Sequence, residues 1–178
     1  STSWTSPDGE SSGSDSDADS PNNSSVYLEI QNVDTEAGTL DIYMSNLRGC
    51  SYCEDPTYNN NTASWTSKKE YCEGIGNSTW IFNTSITEEE CGSIPSITEA
   101  GGWWFNGEVG GFQFELLGVT ITAATAPDGL MASISATTVL AFSLTGATIP
   151  PGSGILTQVT FTDFEGSGIC FGEDTGSS

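Results

Sequence analysis

Five cysteines, Cys50, Cys53, Cys72, Cys91 and Cys170, are the residues whose spacing first suggests chemistry. Four of them fall within 42 residues, among Tyr, Asn, Thr and Gly. Only Cys50 and Cys53 have the C-x-x-C spacing of a zinc site, and neither a second such pair nor any His follows, so disulfides are the expected state. Cys50 and Cys53 are too close in sequence to bridge each other well. Of the possible pairings, the nested one is expected, with Cys53–Cys72 inside Cys50–Cys91. Cys170 is left over in an apolar stretch, either as a buried free thiol or paired back to the cluster. Five N-x-S/T acceptors accompany the cysteines, at Asn22, Asn23, Asn60, Asn77 and Asn83. Three of these lie inside the cluster. Clustered cysteines with sequons predict an oxidised, glycosylated, extracellular segment, with all five Asn at the surface. No signal peptide opens the sequence, so a mature or trimmed product is expected.

Other constellations carry less. Asp15, Asp17 and Asp19 begin like a calcium loop, but the sixth position is Ser20 instead of Gly and the twelfth Val26 instead of Glu. Ca2+ is thus weakly supported, and no metal or other cofactor is expected beyond N-linked glycans. Glu88, Glu89 and Glu90, with Asp163 and Glu165, could supply the carboxylate pair of a glycoside hydrolase. Nothing marks any two as facing a cleft, and without a site the chain is read as non-enzymatic. The absence of His removes Ser-His and Cys-His catalysis. Trp103, Trp104 and Phe105, flanked by glycines, form either a sugar-stacking platform or contact surface, or an aromatic plug at the end of the sandwich beneath the insertion.

The 178 residues carry 24 acids against 3 bases, a formal charge of 3 − 24 = −21. A nucleic-acid binder needs a basic patch, and none can be built here. Anionic membrane surfaces are disfavoured, and no apolar run reaches the roughly 20 residues of a spanning helix. Self-repulsion at this charge favours solubility and opposes compaction, so glycans, cations or a partner must help.

Low complexity marks residues 1–25, with ten Ser, five acids and one large apolar side chain, Trp4. Such a segment cannot offset its ordering entropy alone. From Val26 the pattern becomes period-two. Val26, Leu28 and Ile30, then Leu40, Ile42 and Met44, predict an antiparallel hairpin with its turn over Gln31–Gly38. Residues 49–106 interrupt it as an insertion with little apolar content, in which Thr87–Glu90 could open a short helical turn. Strand signals return at Val109 and continue at Phe112–Leu116, Val119–Ile121, Leu130–Ser135, Thr138–Leu144, Ile155–Phe161 and Gly168–Phe171. Gly146–Gly154 separates two of these as a Pro/Gly turn region. Short strands with Gly/Pro punctuation predict an all-β antiparallel sandwich over 26–178.

The stretches Val109–Val119, Thr138–Gly146 and Pro151–Phe161 resemble a cohesin-like β-sandwich module. The similarity covers about 26–48 and 107–171; residues 49–106 and the acidic segment have no counterpart in it. The resemblance implies a jelly-roll, immunoglobulin-like sandwich with an adhesive or scaffolding role. The architecture is also similar to that of subunits of extracellular glycosylated filaments. The resulting expectation is a secreted structural subunit that polymerises with itself, head to tail, through an extended arm anchored by Trp4. The alternative is a monomeric cohesin-like module binding a protein or glycan.

Overall fold

The computed structural model describes residues 25–59, 68–97, 101–164 and 166–172. The chain divides into two compact units, one built from Val26–Asn46 and the chain from Glu108 onward, the other from Leu47–Gly107.

The larger unit holds two four-stranded antiparallel sheets. One has the order β1 (Val26–Asp34), β2 (Thr39–Asn46), β10 (Gly152–Thr162), β7 (Thr120–Ala124); the other has β11 (Cys170–Phe171), β6 (Gly111–Leu117), β9 (Thr138–Phe142), β8 (Met131–Ile134). Alternation explains the pairing. Every second side chain of β2 (Leu40, Ile42 and Met44) is buried, and all join one apolar cluster with Ile30, Phe114, Leu116, Val139, Val159 and Phe161. Both sheets therefore share a single core. Phe114 anchors it in the second sheet, with Phe171 edge-on at 5.8 Å between ring centroids.

Central strands also bury polar groups, and each has a partner. The Thr157 hydroxyl donates to the Thr125 carbonyl at 2.7 Å. Asn46 donates through Nδ2 to the Pro150 carbonyl at 2.9 Å. Asp41 lies on the opposite face of β2 from Leu40 and Ile42, yet it is buried too. Its carboxylate accepts from Asn32 Nδ2 at 2.9 Å and from Gln158 Nε2 at 3.3 Å, so neutral amides from both neighbouring strands satisfy it.

The hairpin turn is shorter than the sequence suggests. Strand β1 continues through Asp34 because its register shifts between Gln31 and Asp34, where Asn32 takes a φ of 51°. A bulge absorbs the polar run that reads as a turn. Strand β10 likewise begins at Gly152, inside the predicted Pro/Gly turn region. Crossing from β6 to β7 takes only two residues and changes sheet. Gly118 makes the step at φ +87°, where a Cβ would run into the Gly168 carbonyl.

Cys170 corrects an expectation. It is a free thiol but only half-buried. Ile169 takes the inward position, and Cys170 pairs with the exposed Leu117 on the outer side. One step in a strand reverses the face.

Ile42 is fully buried at the centre of the shared core. Ile42→Ala is expected to cost about 2–5 kcal/mol and Ile42→Val about 0.5–1.5 kcal/mol in urea unfolding. Equal, small losses would show that β2 is not central.

Candidate functional site

The smaller unit collects most of the residues singled out in the sequence. Its sheet has the order β4 (Trp80–Asn83), β3 (Gly49–Cys53), β5 (Trp103–Phe105), all antiparallel. Three short helical pieces accompany it: α1 (Lys68–Glu70), a π-helical turn (Tyr71–Ile75) and α2 (Glu88–Gly92).

Cys50 bonds to Cys91 of α2, and Cys53 bonds to Cys72 of the π-helical turn. Both starting cysteines lie on β3 and are three residues apart, so the strand's period of two sends them to opposite faces. One strand is thereby stapled to a helical element on each side. All four cysteines are buried. Gly102 packs against the first bridge, and a Cβ there would sit 2.5 Å from Cys50 Sγ.

Asn59 is the polar centre of this unit. It is buried; its Oδ1 accepts from the Cys53 N–H at 3.2 Å, and its Nδ2 donates to the Pro95 carbonyl at 3.0 Å. Its own carbonyl accepts from Ser96 Oγ at 3.1 Å. The sequence gives no signal for this role, since Asn59 opens an Asn run that reads as surface.

The aromatic run forms β5, with Ser51 opposite Trp103 and Cys50 opposite Trp104. Trp103 packs with Trp80 and Tyr58 against the Cys53–Cys72 bridge. Lys68 Nζ stands 3.1 Å from the centroid of a Trp103 ring, a cation–π contact. Desolvation lowers the Lys68 pKa. Trp103 Nε1 is buried without a hydrogen-bond partner among the described residues. The side chains of Trp103, Trp104 and Phe105 are all half-buried.

Of the sequons, Asn77 is exposed at a φ of 45° after the π-helical turn. Asn83 ends β4 half-buried, and its Oδ1 accepts the Ser85 N–H at 2.8 Å, an Asx turn within its own sequon. Asn22, Asn23, Asn60, Trp4, Glu165 and the Asp15–Asp19 run lie outside the described residues. Glu88, Glu89 and Glu90 are exposed in the first turn of α2. Asp163 is exposed, at a φ of 55° in the larger unit. Among the described residues, no group of three or more His, Cys, Asp or Glu could hold a metal ion. No helix among them is long and apolar enough to cross a membrane.

The Thr87–Glu90 pair forms a capping box. Thr87 Oγ1 accepts the Glu90 N–H at 3.3 Å, and Glu90 Oε2 accepts the Thr87 N–H at 2.8 Å. The backbone hydrogen bond from Thr87, then that from its hydroxyl, lowers the Glu90 pKa. No family model, characterised protein or solved structure matches this chain.

Two outcomes follow from these contacts. Asn59→Ala orphans the Cys53 N–H and the Pro95 carbonyl, at roughly 1–3 kcal/mol for each group. Non-reducing denaturant titration should show that loss; an unchanged midpoint would mean that water replaces the amide. Glu90 should titrate below ordinary glutamates by carbon-13 NMR. Because its folded pKa is depressed, its contribution is complete above the unfolded value and disappears as pH falls through the folded one. A midpoint in the ordinary range would exclude the box in solution.

Proposed function

We propose that this protein is a structural subunit of an extracellular, glycosylated filament or surface assembly, and that its larger unit is a jelly-roll, immunoglobulin-like sandwich of cohesin-like type. In this reading subunits join head to tail, with residues 1–25 of one serving as an extended arm on the next. Strand addition supplies the mechanism. An arm offers backbone N–H and C=O groups to an open sheet edge, and side-chain contacts set its register. Such a contact is heterologous and does not close, so it propagates.

One observation carries the reading: among the described residues the larger unit's sheets are open rather than closed barrels, ending on β1 and β7 in one and β11 and β8 in the other. Open edges are templates for a further strand. Two disulfides and the exposed sequon at Asn77 support an oxidising, secreted setting. Covalent glycans would add solubility to a chain that already repels itself.

Removal of residues 1–25 tests the arm. Electron microscopy of the full chain should show fibres, and the shortened chain should give dispersed particles with the same far-ultraviolet circular dichroism. Fibres of unchanged diameter and repeat from the shortened chain would overturn the arm. Dispersed particles from the full chain would instead favour the monomeric adhesion module.

A further inference from the structure

Charge is distributed unevenly along this chain. From Gly129 to Thr162, 34 residues, there is no Asp, Glu, Lys or Arg, although the whole carries −21. That run contains β8, β9 and β10. It also holds a large share of the exposed apolar side chains: Met131 at 48 %, Ile134 at 40 %, Leu140 and Phe142 at 37 %, Leu144 at 76 % and Ile155 at 60 %. Five of these six lie between Met131 and Leu144. An uncharged, apolar surface is where two strongly acidic bodies can meet with least repulsion.

Strand pairing organises this surface. Met131 lies opposite Phe142 and Ser133 opposite Leu140, while Ala132 and Ile134 face the buried Ala141 and Val139. Met131, Phe142 and Leu140 thus share the outer face of the sheet, with Gln113 beside Leu140 and the face's acid, Glu115, set further along beside Thr138. Gly111 is the partner of Phe142 on the other side and adds no side chain above it. Among the described residues strand β8 is the edge, and all four of its residues are exposed. It lacks the usual protections of an edge, having no charge, no Pro and no bulge. The other edges differ. Strand β1 carries Glu29, Asp34 and a bulge. Strand β11 has two residues, and β7 exposes only small side chains such as Thr122 and Ala123.

Building on the filament reading, we infer that β8 is the acceptor edge, and that its occupant is the uncharged segment Ser1–Pro7 of a second copy, with Trp4 packed beside Met131 on the outer face. Within residues 1–25 the first acid is Asp8, so Ser1–Pro7 is the longest uncharged stretch there and the one that holds the large apolar side chain, Trp4. Thr2, Trp4 and Ser6 alternate with Ser1, Ser3 and Thr5, and Thr and Trp favour strands. Pro7 then limits the length of pairing. Trp4, Met131 and Phe142 would form one row, in which the thioether lies against aromatic rings. Residues 8–25 extended can reach up to about 60 Å, enough to connect neighbouring bodies.

The test uses the full chain and two variants, Trp4→Ala and the double change Met131→Glu with Leu140→Glu. Met131 and Leu140 are exposed on the outer face, so the melting temperature of the double variant should stay within a few degrees of the full chain's, and that of Trp4→Ala is measured beside it. Each variant should raise the protein concentration needed for fibres at least tenfold. Combined, they should do little more than the stronger one alone, because both remove one contact. Hydrogen exchange gives an independent readout: β8 amides should be protected in wild-type fibres and exposed in dispersed Trp4→Ala subunits. If fibres still require residues 1–25 but β8 exchanges equally fast in both states, another edge accepts the arm and this inference falls while the filament reading stands. Multiplicative effects of the variants would also overturn it. Fibres that do not need residues 1–25 would remove the filament reading itself.

Discussion

The absence of any cation in the larger unit governs how that unit is built. All three bases, Arg48, Lys68 and Lys69, belong to Leu47–Gly107. Acids in the two four-stranded sheets therefore cannot rely on ion pairs within their own unit. Three of the four on the strands are held by neutral donors instead. Asp41 accepts from Asn32 and Gln158, Glu29 from Gln31 Nε2 at 2.9 Å, and Asp34 from the Glu36 and Ala37 N–H groups. Hydrogen bonds to a charged acceptor are stronger than neutral ones, yet they leave the net charge in place. Placement is then what remains to limit repulsion, and the run from Gly129 to Thr162 carries no charge at all.

The smaller unit solves a different problem. Its apolar cluster is Cys53, Cys72 and Trp80, with Tyr58 and Trp103 against it, far less than the shared core of the sheets. Small cores need staples. Two disulfides leaving opposite faces of β3 supply them, and Asn59 ties β3 to the segment around Pro95. Lys68 on Trp103 places one of the scarce cations where a ring face, not a carboxylate, receives it.

Period-two alternation made the β1–β2 pairing and the strands β6, β9 and β10 legible, because most of their apolar burial follows side-chain parity, although β10 buries Leu156 and Thr157 side by side at a register shift. What parity cannot show is a bulge. The Gln31–Asp34 segment reads as a turn, although it is a strand with one residue out of step. Strands β3, β4 and β5 were illegible for another reason: at three to five residues each they are too short to display a period, and Cys, Trp and Asn are ambiguous between core and surface. Thr87 and Glu90 signalled a helix start because a capping box is local chemistry. Asn59 gave no such signal, since its contacts span six residues back to Cys53 and 36 forward to Pro95, and neither is a local pattern. The clustered cysteines signal an oxidised segment, whereas the apolar stretch around Cys170 does not show that Ile169, one position earlier, takes the inward side.

The Cys50–Cys91 bridge has a mechanical consequence. It closes 41 residues of sequence into a covalent loop whose two ends lie 5.6 Å apart at Cα. A chain pulled at both ends transmits force through those two sulfurs, bypassing β4, the π-helical turn and Asn59 altogether. Drawn out, 41 residues would lengthen the chain by about 140 Å. While the bridge is intact, none of that slack can be released. The loop is thus excluded from the load path, and extensibility must come from the segments outside it.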